Sequence, residues 1–191
     1  YGYCSSCGWR NTATFQKTSL ERVRLQLVNG DLSPSDAVKQ SVSEFDSAAR
    51  DYTDQLRSIV PMKESRKKTL ERLLFHNLDK FDELLKTCFD INLLRGMTSD
   101  RDCVKKMFFR RHVYEHDGGV ATQRYVEESG DSRIEKGELI RETVGNTNKL
   151  ISSLNRMITT FESDFHEIFK PTPFCIEIES ERKKRMNEID V

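Results

Sequence analysis

An all-α fold, a bundle of amphipathic helices packed antiparallel, is what this sequence predicts. Apolar residues from Val38 to Ile59 recur in alternating steps of four and three, and a second stripe with the same spacing runs from Thr147 to Ile168. Gly and Pro, the residues that interrupt helices, number only 9 and 4 in a chain of 191. Charged residues make up 32% and hydrophobic ones 36%, so the core has to be assembled from narrow apolar stripes rather than from continuous apolar runs.

The elements follow in order. Residues 1–16 stand apart as a zinc-ribbon-like segment, nearly uncharged, with the only Trp and the pair Cys4-Ser-Ser-Cys7. A short helix is expected from Ser19 to Val28, stopped by Asn29-Gly30. The turn Asp31-Leu-Ser-Pro opens a long helix from about Ser35, with Val38, Val42, Phe45, Ala49, Tyr52, Leu56 and Ile59 on one face and Pro61 at its end. A third helix is expected to carry Leu70, Leu74, Leu78, Phe81, Leu85 and Cys88 on one side. Ser99 or Asp100 caps a fourth helix that runs to His116 and stops at Asp117-Gly118-Gly119. A short helix over 121–128 and a turn at Ser129-Gly130-Asp131 come next, and Ser132 to Glu142 is mixed, with extended character. The last long helix spans Val144 to Phe169 and bears Thr147, Ile151, Leu154, Ile158, Phe161, Phe165 and Ile168. After Pro171-Thr-Pro173, the alternation Phe174-Cys-Ile-Glu-Ile reads as a strand or an extended tail over 171–191.

Composition excludes several classes. Lys+Arg and Asp+Glu both total 31, so a uniformly basic nucleic-acid binder is excluded and any basic surface has to be local. No run approaches the ~20 apolar residues that cross a bilayer. Five cysteines, an odd number spread along the chain, do not form a disulfide framework, and no secretory signal segment is present, which points to a reducing, cytoplasmic setting. A chain that opens on Tyr1 rather than Met points to residues trimmed upstream.

The chemistry-bearing residues cluster on the fourth helix. His112 and His116 are four apart and project from the same side. Arg111 and His116 are five apart, about 140° around a helix, so one helix presents them awkwardly and two helices meeting across a two-fold axis would pool both pairs in one cleft. An imidazole can move the proton of a ribose 2′-hydroxyl or of a leaving oxygen, and a guanidinium can hold a phosphate as charge builds on it. From Arg95 to His116 there are six Lys/Arg (95, 101, 105, 106, 110, 111) and three acids (100, 102, 115), a local excess of +3 suited to phosphate. These are the parts of an RNA-cleaving site that needs no metal.

The segment Arg111-His112-Val-Tyr-Glu-His116 resembles the Arg-x4-His motif of the ribonuclease members of the HEPN superfamily, and the following GGVATQRYVEESGD is similar to the stretch after that motif in one branch of the family. The helical pattern matches over roughly residues 35 to 170, the specific letters over about 20. The resemblance implies a HEPN-like helical domain over 17–170, a homodimer with a composite active site, and metal-independent endoribonuclease activity in toxin–antitoxin or antiviral defence. An antitoxin or defence-system partner protein is implied with it. Carried over residue by residue, Arg111 binds or activates the scissile phosphate, His116 is general acid and base, and His112 orients the site. The Cys-x-x-Cys segment has no counterpart in that helical domain.

Other readings stand beside these. The fold also suits a non-catalytic interaction, nucleic-acid-binding or nucleotide-binding module, and His112 and His116 also read as plain surface residues. Spacing i, i+4 is a metal-binding spacing too, although Glu115 is the only further ligand nearby and a third is missing. Cys4 and Cys7, with Gly8 directly after, have the shape of half a structural zinc site, while Cys88, Cys103 and Cys175 are poorly placed to complete it. His76 and His166 fall within apolar stripes as packing residues, and Phe108, Phe109 and Tyr114 read as core before they read as base-stacking platforms. The basic runs Lys63–Arg72 and Arg182–Arg185 read as solvated helix faces.

Overall fold

The two long stripes do form two long helices, and they pack on each other. The computed structural model describes residues 3–4, 7–71, 77–98, 100–171 and 173–189, with the side chains of 175, 179 and 186–189 outside that description. Eight helices are found among the described residues: α1 (Thr12–Asn29), α2 (Pro34–Ile59), α3 (Glu64–Glu71), α4 (Leu78–Phe89), α5 (Arg101–His116), α6 (Gln123–Ser129), α7 (Val144–Ile168) and α8 (Pro173–Ile189). There is no strand among them, only two isolated bridges, Tyr3 to Arg10 and Val120 to Leu139.

Local chemistry sets the element ends. Gly30 adopts the left-handed conformation that closes α1, with φ 81°, and the next amide, Asp31 N–H, donates to the Gln26 carbonyl at 2.9 Å. Ser33 caps α2 by accepting from the Asp36 amide at 3.1 Å, and Pro34 occupies the first helical position, where no amide is needed. Thr143 caps α7 in the same way through the Asn146 amide.

The core lies between α1, α2 and α7, with α5 laid on α2. Val38, Val42, Phe45, Ala49, Tyr52 and Leu56 of α2 are all buried, as are Thr147, Ile151, Leu154, Ile158, Phe161 and Phe165 of α7. Tyr52 stacks on Phe161 with ring centroids 4.5 Å apart, and Phe45 meets Phe108 of α5 edge-on at 5.7 Å. Each such side chain contributes roughly 1.5–3 kcal/mol by leaving water. Two buried carboxylates then hold the loop that leads into α5. Asp82 accepts from the Leu94 amide at 3.1 Å, and Asp164 accepts from the Asn92 amide at 3.1 Å and from Arg95 at 2.6 Å.

Four elements differ from expectation. The first helix begins at Thr12, not Ser19, because Ala13, Gln16 and Leu20 bury against the rest of the core although that turn carries little helical pattern of its own. The expected third helix is two helices: Asn77 caps α4 by accepting from the Lys80 amide at 3.2 Å, and Leu74 and His76 lie outside the described residues. The tail is no strand or extended segment: Pro173 opens α8, whose described side chains are mostly exposed, and Glu181 and Arg185 pair one turn apart on it. Its period-two apolar start has no neighbouring strand to pair with, so the backbone satisfies itself within a helix. Asp100 stands at the start of α5, but its carboxylate pairs with Arg156 instead of capping the helix, and Ser99 lies outside the described residues.

The Cys-x-x-Cys segment is seated on the helices. A tight turn brings the Cys4 amide to the Trp9 carbonyl at 2.7 Å and the Gly8 amide to the Cys4 carbonyl at 2.8 Å, with Gly8 at φ 74°. Trp9 packs edge-on against Phe165 at 5.5 Å and donates its indole N–H to the Lys170 carbonyl at 3.0 Å. Arg10 and Thr12 both hold the Asp51 carboxylate of α2. None of Cys4, Cys7, Cys88 and Cys103 is in a disulfide. No helix is long and apolar enough to cross a membrane among the described residues.

Candidate functional site

The site forms where α5 ends and the chain folds back on it. Val104, Met107 and Phe108 of α5 bury toward α2, while Val113, with Ala121, Tyr125 and Ile140, makes a second small core on the other side. Gly118 and Gly119 take positive φ at the elbow, 59° and 84°, a backbone conformation that other residues adopt only with strain. The elbow turns α6 back along α5.

Arg110 locks that arrangement. Its guanidinium donates to the Tyr125 hydroxyl at 3.1 Å, to Asp131 at 2.6 Å and to Glu142 at 2.6 Å, so one α5 side chain ties down α6, the turn after it and the approach to α7. The Tyr125 hydroxyl donates to Asp131 at 2.9 Å, and Lys106 adds a bond at 3.3 Å. Burial pushes the Asp131 carboxyl up, but Arg110, Tyr125 and Lys106 outweigh it and hold it down at about 2. The Tyr…Ser-Gly-Asp stretch is thus the far half of a buried charge network whose near half is Arg110.

What remains of α5 faces a cleft of about 280 Å³ lined by Phe109, Arg111, His112, His116, Thr122 and Arg124, among others. The rings of His112 and His116 lie 4.6 Å apart. Both are exposed, whereas the Arg111 side chain is only 20% exposed and reaches Glu115 at 2.8 Å. Glu115 also lies 3.9 Å from His116, so one carboxylate stands beside both the guanidinium and the imidazole. Arg111 and His116 nevertheless line the same cleft within one chain, with Thr122, Arg124 and Tyr125 at its other wall. Phe109 and Phe108 both line the cleft, Phe108 as a buried member of the main core, and Tyr114 packs partly buried between the two cores.

The local excess of positive charge does not survive folding as an open surface. Arg95 pairs with Asp164, Arg101 and Lys105 with Asp79, Lys106 and Arg110 with Asp131, and Arg111 with Glu115. Most of those acids lie far from the segment in sequence, so counting charge along the helix could not see them. The Arg111 Nε is buried without a hydrogen-bond partner, while a terminal nitrogen of its guanidinium is held by Glu115 at 2.8 Å.

Asp46 of α2 feels the charges of Arg111 and Glu115, and nothing in the sequence signals that relation. Burial pushes its carboxyl up to about 6, against the pull of Arg111 and Arg50 and with the push of Glu115, and its Oδ1 has no hydrogen-bond partner. The folded protein therefore binds this proton more tightly than the unfolded chain, whose aspartate titrates near 4. The protonated carboxyl favours folding fully below about pH 4, and that advantage is lost as the pH rises through 6. Asp46→Asn is expected to stabilise the protein by on the order of 1–2 kcal/mol at pH 8 and by nothing measurable at pH 4, read from paired thermal melts. An equal gain at both pH values would contradict this.

Cys4 and Cys7 are in side-chain contact, and Cys7 Sγ lies 3.8 Å from His166 Nε2 of α7. His166, expected as a packing residue, thus faces the cysteine pair. As the side chains stand, no three His, Cys, Asp or Glu are gathered about one point among the described residues, at this place or at His112 and His116.

No family model matches the chain, and neither a curated protein nor a solved structure shows detectable similarity to it. Fold and site therefore define the class by themselves: an all-helical protein with an arginine–histidine cleft at the end of its fifth helix.

Proposed function

We propose that the chain is a metal-independent endoribonuclease of the HEPN type, acting in toxin–antitoxin or antiviral defence, with Arg111, His112 and His116 as its catalytic residues. The observation that carries the reading is their convergence on one wall of a single cleft, beside an aromatic ring. Such a site can act on RNA because the substrate brings its own nucleophile. The 2′-oxygen attacks the adjacent phosphorus while His116 takes its proton, the bond from phosphorus to the 5′-oxygen breaks, and a proton returns to that oxygen. The products are a 2′,3′-cyclic phosphate and a 5′-hydroxyl. Arg111 neutralises the non-bridging oxygens as charge builds. His112, against His116, orients it. A homodimer joining two such clefts would double the set of acid–base groups around one phosphate.

The test is cleavage of tRNA, ribosomal RNA and unstructured RNA by purified protein with and without chelator. Expected is cleavage that resists chelator and leaves cyclic phosphate ends, reduced at least about 10²-fold by Arg111→Ala. No cleavage of any of the three would transfer the reading to a non-catalytic binding module.

A further inference from the structure

Phe109, His112 and His116 follow one another in steps of three and four, so they share one stripe of α5, and all three border the cleft. At a rise of 1.5 Å per residue, Phe109 stands about 5 Å before His112 and about 10 Å before His116 along the helix axis. Its neighbour Phe108 meets Phe45 edge-on at 5.7 Å, whereas no aromatic ring meets Phe109 among the described residues. Half-buried, Phe109 packs against the small core of Val113, Ala121, Tyr125 and Ile140. At the other wall, the Arg124 side chain is 69% exposed and pairs with Glu128 of its own helix at 3.1 Å. An exposed pair of that kind contributes little and is readily exchanged for another partner. A site for phosphate alone would be polar throughout. This one joins a cationic and imidazole group of side chains to an aromatic ring with no ring partner.

We propose that the cleft takes one unpaired base of a single-stranded RNA, held between the Phe109 ring and the Arg124 guanidinium, with the adjoining phosphate at Arg111, His112 and His116. This rests on the reading of the cleft as an RNA site and adds which part of the RNA is gripped. An aromatic side chain stacks on any base, because every base has a π face, and an arginine plane stacks on bases as well. The distance along α5 from Phe109 to His116 is one that a single nucleotide bridges from its base to its phosphate. The cleft, about 280 Å³, has room for one base with its sugar. A base stacked on a side chain has left its complement, so the substrate class is unpaired RNA, loops and single strands, and not duplex. Stacking tolerates sequence, so Phe109 selects for an unpaired base and not for a particular one.

The experiment measures binding apart from cleavage, on the full chain. The probe is a short oligouridine with 2′-fluoro sugars, which has no 2′-hydroxyl to attack, carrying 5-iodouracil, a base that joins under long-wave ultraviolet light to an aromatic ring stacked on it. Expected is a crosslink to Phe109, located by mass spectrometry. The same strand without bases should bind about 5–100-fold more weakly. Phe109→Leu, which stays apolar but has no ring, should lose the intact strand by a similar factor. Phe109→Trp should hold it at least as tightly as the wild type, and it serves if the leucine variant does not fold. A strand that binds equally well without its bases, or that crosslinks only to other residues, overturns the base site and leaves the nuclease reading to be judged by cleavage. A strand that does not bind at all overturns it too. A Phe109 crosslink in a protein that cuts no RNA upholds the base site and removes the nuclease.

Discussion

His116→Ala is expected to cleave RNA about 10²–10⁴-fold more slowly than the wild type while melting at the same temperature. The size follows from the role: an imidazole that moves a proton in the transition state contributes that much when removed, provided no neighbour substitutes for it. The unchanged stability follows from the structure. The His116 side chain is 55% exposed, its nearest charged partner is Glu115 at 3.9 Å, and it makes no buried contact that the fold would miss. Comparing initial rates with thermal melts separates the two possibilities. A large loss of stability with a proportionate loss of rate would mean that His116 is part of the scaffold, and it would remove the ground for calling it catalytic. On the proposed mechanism His112→Ala should cost less, since its ring lies against His116 and its proposed role is to orient that residue.

Arg110→Met is expected to produce the opposite signature, a loss of about 3–5 kcal/mol of stability. For a chain of this size that corresponds to a fall of roughly 6–20 °C in melting temperature. The adjacent arginines look alike in sequence, yet the Arg110 side chain is only 7% exposed and the carboxylates of Asp131 and Glu142 that it neutralises are fully buried. Removing the guanidinium leaves two negative charges with no water and too few donors. Lysine should rescue only in part, because one ammonium cannot reach Tyr125, Asp131 and Glu142 together. The pH dependence gives a second readout. Asp131 is held at about 2, so the network's contribution is complete above about pH 4 and is lost as the pH falls through 2. In Arg110→Met that acid-induced loss should shrink, since there is little left for protonation to remove. A melting temperature within a degree or two of wild type would show that the network is not needed to hold α6 against α5.

The contrast between the two arginines shows what could be read from one dimension. Periodicity placed α2 and α7 because their buried faces repeat over about five turns, from Val38 to Leu56 and from Thr147 to Phe165, and no local signal competes with a stripe of that length. It missed about two turns at the start of α1, where Ala13 and Gln16 are buried beside the docked turn around Trp9, and it ran α3 and α4 together because a cap at Asn77 is a small feature inside a long stripe. Spacing of four brought His112 and His116 to one side of α5 correctly. It gave no means of telling the buried Arg110 from the cleft-lining Arg111, since that distinction depends on where Tyr125, Asp131 and Glu142 come to rest.

The sequence by itself determined that this protein is helical, which faces of its two longest helices are buried, and that α5 ends in a histidine pair beside arginines. Those properties depend on residues within a few positions of one another, where helix geometry alone relates them. Tertiary structure decided the rest: that the positive charge of α5 is met by Asp79, Asp131 and Glu142, that Asp46 lies close enough to Arg111 to feel its charge, and that His166 faces Cys7 across 159 positions of chain. A carboxylate or an imidazole has no periodicity to announce its partner. Only packing of the apolar stripes brings such residues together, and their chemistry follows from that packing.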